Sequence, residues 1–225
     1  MTDYPILYSF RRCPYAMRAR LAILVTGIEV ELREVVLKDK APAFLVASPT
    51  ATVPCLVKES GHVIDESIDI MLWALEQADP QLWLVPEQGN LQEVQDLIRA
   101  NDGPFKCHLD RYKYDTRFEG AVRTDERAAA SEYLRKLDQK LDGRPWLFGA
   151  RASIADYAIL PFVRQFANTD RDWFDAQSWS PLKRWLAAFE GSDAFLSVMS
   201  KYRKWSAGDV PLIFKGDVGV FITKY

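Results

Sequence analysis

Apolar positions along the chain fall into two regimes, a mixed one up to about residue 78 and one of helical spacing from about residue 91. The run PILYSF, residues 5–10, has the length and aromatic content of a buried strand and leads straight into Cys13 and Pro14. Proline favours the first helical position, which makes Cys13 the N-cap of the helix that follows. That helix carries Met17, Leu21, Leu24 and Val25 at i, i+4, i+7 and i+8, and Gly27 stands where a C-terminal cap belongs. VELREVVL, residues 30–37, reads as a second strand, so the opening unit is a parallel βαβ. After an irregular or helical stretch, APAFLVASP at 41–49, TVPCLVKESGHVI at 52–64 is a hairpin turning at KESGH. DESIDIMLWALEQA, residues 65–78, then predicts a helix burying Ile68, Met71, Leu72 and Leu75.

Residues 79–90, DPQLWLVPEQGN, are broken by Pro80, Pro86 and Gly89 and mark a domain boundary. From 91 to about 205 strand alternation is absent; Ala129, Tyr133, Leu137 and Leu141 illustrate the helical period. ASIADYAILPFVRQF places Ser153 and Asp156 in the S-x-x-D relation that starts a helix. The expected organisation is an α/β domain at 1–78, a linker at 79–90, an all-helical domain at 91–205 and an extension at 206–225. VPLIF and VGVFI in the extension are too apolar to stay solvated, so it is expected to pack on one of the domains.

Composition narrows the function. With 29 basic and 31 acidic side chains and a net charge of −2, no basic stripe suited to nucleic acid stands out. Three cysteines are too few for a secreted disulfide framework, and the N-terminus lacks the apolar length of a signal peptide. No apolar run spans a membrane. The expectation is a cytoplasmic protein with reduced thiols and no bound metal, because Cys107, His108 and His62 show no ligand spacing.

RRCPYAMRAR, residues 11–20, carries the candidate chemistry. A cysteine at a helix N-terminus faces unpaired N–H groups and the positive end of the dipole, and both favour thiolate. Arg12, with Arg11 and Arg18, would add to that. An ordinary thiol near pKa 8.5 is about 3% ionised at neutral pH, and a drop of about 2 units makes thiolate predominate. Taken alone, the stretch fits equally a small apolar residue packed at a helix cap. Ala16 stands where a C-x-x-C site would keep its second cysteine, so any redox cycle through Cys13 needs an external thiol. Cys55, in an apolar run, reads as core. Tyr8 and Ser9 are hydroxyl alternatives at the strand end.

The order of elements and these motifs resemble the glutathione transferase superfamily, with a thioredoxin-like N-terminal domain and a helical C-terminal one. CPYAMRAR is similar to the cysteine-type members, omega-like transferases and glutaredoxin-2-like proteins; TVPCL matches the family's cis-proline loop, DES its γ-glutamyl site and SIADY its helical capping box. The resemblance implies Cys13 as catalytic residue and Tyr15, Lys38, Val53, Pro54, Glu66 and Ser67 as glutathione-binding residues. Val53 would pair its backbone with the cysteinyl part, Glu66 and Ser67 would hold the γ-glutamyl group, and Lys38 the glycyl carboxylate. It implies a homodimer using glutathione as co-substrate, with a small apolar or disulfide-containing second substrate held by the helical domain. Trp83, Phe105, Tyr112, Trp173 and Trp205 could line a pocket, though aromatic residues in a helical domain are more often core. The expected activity is thiol transfer or reduction through a Cys13–glutathione mixed disulfide. Conjugation of glutathione to electrophiles and a non-catalytic binding scaffold are the alternatives.

Overall fold

A computed structural model describes residues 4–216. The chain divides into two compact units. The first runs through Gln81 and resumes at Gly191; the second is Leu82–Glu190.

The first unit is built on a sheet whose strands lie in the order Val63–Ile64 (β4), Cys55–Val57 (β3), Ile6–Ser9 (β1), Glu29–Glu34 (β2), Ile213–Lys215 (β5). Strands β1 (Ile6–Ser9) and β2 (Glu29–Glu34) are parallel, joined through helix α1 (Pro14–Thr26), as the apolar spacing predicts. β3 (Cys55–Val57) and β4 (Val63–Ile64) form the hairpin, with β3 antiparallel to β1. Helix α2 (Pro42–Ala47) connects β2 to the hairpin, and helix α3 (Ser67–Gln77) follows it. α1 starts at Pro14 and stops at Gly27, whose φ of 76° is left-handed and suits glycine. Apart from Tyr15, every residue of α1 is buried, the two arginines included. On α3 the buried residues are Ser67, Ile70, Met71, Ala74 and Leu75, while Ile68 and Leu72 stay half-exposed. The buried face, which includes Ile70 and Ala74, is therefore rotated from the expected one, and α3 packs on α1.

The second unit is helical: α4 (Leu91–Ala100), α5 (Lys106–Lys113), α6 (Arg123–Lys140), α7 (Ile154–Ala167), α8 (Arg171–Asp175) and α9 (Ser180–Glu190). α4 and α5 are joined by one wide π-helical turn at Asn101–Phe105, which accommodates Gly103 and Pro104. α6 buries Ala130, Tyr133, Leu134 and Leu137, so its inward seam lies one residue past Ala129. α7 begins on a buried carboxylate. Asp156 accepts from the Ser153 N–H at 2.8 Å and the Ser153 hydroxyl at 2.9 Å, and from the Leu147 N–H at 2.9 Å and the Trp185 indole N–H at 3.1 Å.

The C-terminal segment departs from the expected division. Helix α10 (Asp193–Val198) and the chain after it belong to the first unit, where α10 packs on α1. Helical periodicity marks an apolar face but not which core receives it, so residues 191–205 read as part of the helical domain. Within VPLIF, Ile213 and Phe214 enter strand β5 (Ile213–Lys215), which pairs antiparallel with β2. The Leu212 carbonyl also accepts the Leu32 N–H at 2.8 Å. VGVFI lies outside the described residues. No helix among the described residues is long and apolar enough to cross a membrane.

Two tests follow from these contacts. A Cβ on Gly216 would sit 2.6 Å from the Leu24 carbonyl oxygen and overlap the backbone of Gly27. Gly216→Val should therefore strip β5 from the sheet, seen as faster hydrogen exchange at the Leu32 amide. Unchanged protection there would contradict the docking. Asp156 has its pKa raised from 3.8 to about 6, burial outweighing its four donors. A raised pKa means the native state holds the proton more tightly. Its contribution is thus full below the lower value and lost as pH rises through the higher one. Against Asp156→Asn, wild type should lose on the order of 2–3 kcal/mol of relative stability between about pH 4 and about pH 6 in urea unfolding. A pH-independent difference would contradict this.

Candidate functional site

β1 delivers the chain to a tight turn at residues 10–13, and α1 starts immediately after it. The Cys13 N–H closes the turn on the Phe10 carbonyl at 2.9 Å, and the Met17 N–H makes the first helical bond to the Cys13 carbonyl at 3.0 Å. Cys13 is extended, with φ −77° and ψ 123°, and Pro14 follows at the first helical position. The side chain is thereby placed at the N-terminal, positive end of a 13-residue helix, to which it makes no side-chain cap bond. Its half-buried sulfur lies 3.6 Å from the Val53 carbonyl oxygen. The Val53–Pro54 bond is cis. A thiol can donate to that carbonyl whereas a thiolate cannot, so ionisation shifts the sulfur's preference from Val53 to the helix N–H groups.

The arginines take distinct places. Arg11 Nη1 donates to the Met199 carbonyl at 3.3 Å. Arg12 is exposed, with its guanidinium 5.4 Å from the Phe10 ring centroid. Arg18 is fully buried, donates to the Ser67 hydroxyl oxygen at 3.3 Å and lies 5.5 Å from the Tyr15 ring. A guanidinium has no acceptor, so the Ser67 proton is not spent on Arg18 and remains available to a ligand.

Ser67 opens α3, and Glu66 is its N-cap, extended and making no side-chain cap bond. The Glu66 carboxylate is exposed beside the first-turn N–H groups. These contacts join Cys13 to Val53 and Pro54, and separately join Arg18 to Ser67 and Tyr15. Lys38 is exposed in a turn closed by the Asp39 N–H on the Val36 carbonyl at 2.9 Å, and no hydrogen bond or ion pair among the described residues ties it to the others.

The hydroxyl alternatives are buried and already bonded. Ser9 Oγ accepts from Arg20 Nε at 2.7 Å, and Tyr8 Oη accepts from Arg33 Nη1 at 2.7 Å. Burial raises the Tyr8 pKa despite that arginine. Arg33 is in turn covered by Trp205, 4.2 Å from its ring, and Trp205 meets Tyr8 edge-on at 6.0 Å. Sequence reasoning missed this stack, and missed Arg20 and Glu34, fully and largely buried respectively; the signal available was charge inside runs that were otherwise apolar. Trp83, Phe105 and Tyr112 are buried in the helical unit, with Trp83 stacked on Tyr157 at 4.1 Å. Trp173 is half-buried under Arg127, 4.2 Å away.

Residues 7–82 match the family model described as glutathione S-transferase, N-terminal domain, and residues 120–188 the one described as glutathione S-transferase, C-terminal domain. The chain belongs to the glutathione S-transferase family. As a glutathione transferase it is omega-like: glutathione S-transferase omega-1 of Rattus norvegicus is 28% identical over 191 residues, covering 82% of this chain and 76% of that one. Glutathione transferase Omega 3C from Trametes versicolor superposes with a TM-score of 0.73 at 22% identity, over 92% of this chain and 93% of that one. A transferase from Pseudomonas putida, solved with one glutathione disulfide bound per subunit, gives a TM-score of 0.73 at 21% identity over 88% and 91% of the two chains. The fold thus shared is a thioredoxin-like domain plus a helical domain.

Among the described residues, no group of three or more His, Cys, Asp or Glu side chains is placed to hold a metal ion. The three cysteines of this transferase differ sharply in environment. Cys55 is buried, its thiol 3.9 Å from the Ala47 carbonyl, and burial with the nearby Asp65 charge pushes its pKa up to about 11. Cys107 is exposed on α5. Iodoacetamide at about pH 8 should therefore modify Cys13 and Cys107 and leave Cys55 untouched until the protein is unfolded. Native-state labelling of Cys55 at the rate of Cys107, read by peptide mass spectrometry, would contradict this.

Proposed function

We propose that this transferase exchanges disulfides with glutathione through a mixed disulfide at Cys13. The observation that carries the reading is the placement of Cys13 at the N-terminus of α1 against the Val53–Pro54 loop, with Ala16 one turn on where a resolving cysteine would sit. The Cys13 thiolate attacks the glutathionyl sulfur of a substrate disulfide. The Cys13–S–S–glutathione bond forms, the substrate S–S bond breaks, and the substrate leaves as a thiolate that takes up a proton. A second glutathione thiolate attacks the glutathionyl sulfur of the adduct, releasing glutathione disulfide and restoring the Cys13 thiolate. With no second cysteine in the turn, the adduct cannot be resolved internally.

The tripeptide is held by groups the first unit already presents. No hydrogen bond among the described residues uses the Val53 N–H, and this amide and the Val53 carbonyl suit the main chain of the cysteinyl residue. The γ-glutamyl carboxylate fits the free N–H groups that open α3, together with the Ser67 hydroxyl, whose lone pair is occupied by Arg18. Glu66, exposed at the same helix end, pairs with the ammonium of that γ-glutamyl group. The glutathione disulfide reported bound to the Pseudomonas putida transferase supports a site for oxidised glutathione on this fold.

The test follows glutathione-dependent reduction of a low-molecular-weight disulfide by wild type, Cys13→Ser and Glu66→Ala. Cys13→Ser should lose at least about 100-fold in rate while still binding glutathione-agarose, because serine keeps the cap but is neither nucleophile nor leaving group. Glu66→Ala should raise KM for glutathione about tenfold with an unchanged Tm, the cost of one charge-assisted contact. Undiminished exchange in Cys13→Ser would refute the reading.

A further inference from the structure

The turn that presents Cys13 and the C-terminal segment meet on one buried ion pair. Glu34, at the end of β2, accepts the Arg11 backbone N–H on Oε1 at 2.8 Å and binds Arg20 of α1 through Oε2. Arg20 reaches three further partners: the Ser9 hydroxyl at 2.7 Å, the Val198 carbonyl at 3.1 Å and the Tyr202 ring, 5.7 Å to its centroid. Arg11 reaches the next carbonyl along, Met199, at 3.3 Å, and the Glu34 carbonyl takes the Trp205 N–H at 2.9 Å. Both guanidiniums are thus held by the carbonyl end of α10, and the carboxylate that pairs with Arg20 also holds the backbone two residues before Cys13.

We infer that Glu34 and Arg20 act as a positioning pair for Cys13, with Glu34 fixing the turn and cancelling cationic charge that would otherwise act on the thiol. A buried pair of this kind is weak evidence for stability, since each charge costs several kcal/mol to desolvate. Two uncharged residues would fill the same space, and a carboxylate serving only the fold need not bond the N–H of Arg11. The charged and titratable groups on the elements packed around it are Arg11 and Arg12 in the turn, Tyr15, Arg18 and Arg20 on α1, Tyr8 on β1, Glu29, Glu31, Arg33 and Glu34 on β2, Cys55 on β3, Asp193 on α10 and Lys201, Tyr202, Arg203 and Lys204 on the C-terminal segment. Of these, Glu34 alone is an acid bonded to the turn of Cys13 itself. Removing its charge leaves Arg20 without its carboxylate partner beside the turn that carries Cys13, and a nearby cation favours thiolate.

The inference concerns the reactive group of the proposed function, but its test uses no glutathione. The rate of Cys13 alkylation by iodoacetamide is followed against pH on the full chain, with peptide mass spectrometry to assign the site. Glu34→Gln should move the Cys13 profile to lower pH by on the order of half a unit, and Arg20→Gln should move it to higher pH by a similar amount. The double variant, Glu34→Gln with Arg20→Gln, carries neither charge of the pair and should return to the wild-type profile. Loosening of the fold alone would displace both single variants in the same direction. Shifts of the same sign, or no shift in folded single variants, would overturn the inference. If the single variants fail to fold, the double variant decides: a profile displaced by about half a unit or more overturns it, and one coincident with wild type supports it. Absence of disulfide exchange in the wild type would sink the proposed function and leave these shifts to be read on their own.

Discussion

A helix that starts just after a parallel strand leaves its first N–H groups outside the intrahelical ladder, and the rest of the site is arranged around that one deficit. β1 ends at Ser9 and α1 begins at Pro14, with Cys13 as the half-helical residue between them. Proline at the first helical position removes one orphan donor and fixes the entry direction; Cys13 caps the helix and its sulfur meets the Val53 carbonyl. The same deficit recurs at α3, whose N-terminus opens on Glu66 and Ser67 without a side-chain cap. Two helix N-termini in one unit carry no side-chain cap bond, one at Cys13 and one at Glu66 and Ser67, and the proposed ligand brings a thiol and a carboxylate to them. Glutathione has both.

Ionic groups buried around that deficit hold it in place. Arg18 and Arg20 lie on one helix and are fully buried, yet serve different ends: Arg18 reaches Ser67 of α3, and Arg20 reaches Glu34 of β2 and the carbonyl end of α10. Each costs desolvation that apolar packing would not. What they provide is direction, because a guanidinium only donates and so dictates which lone pairs are used and which protons stay free. The Tyr8–Arg33–Trp205 stack extends the pattern across the other face of β2, where Trp205 belongs to the segment that continues into β5.

Much of this was legible from spacing alone. The βαβ unit, the hairpin, the Gly27 stop and the helical second half all follow from apolar periods and glycine or proline punctuation, and the N-cap role of Cys13 follows from Pro14. The resemblance supplied Val53, Pro54, Glu66 and Ser67, and the structure brings Cys13, Val53 and Pro54 together through the sulfur contact and the cis bond. Three features were not legible. The packing of residues 191–205 on the first unit depends on which core accepts an amphipathic face, and periodicity is silent on that. β5 was unreadable because three residues are too short to alternate and its register is set by Leu212 and Gly216 meeting the backbone of β2 and α1. The buried charges were hidden because Arg18, Arg20 and Glu34 look solvent-facing until their partners, tens of residues away, are known.

The most direct test of the account is a crystal structure of the protein after reaction with oxidised glutathione. The account predicts a disulfide from Cys13 to the tripeptide, its cysteinyl main chain paired with the Val53 N–H and carbonyl, and its γ-glutamyl carboxylate on the N-terminus of α3 between Ser67 and Glu66. Glutathione bound with Cys13 unmodified and its sulfur turned away from the N-terminus of α1, or an adduct on Cys107 in place of Cys13, would contradict it.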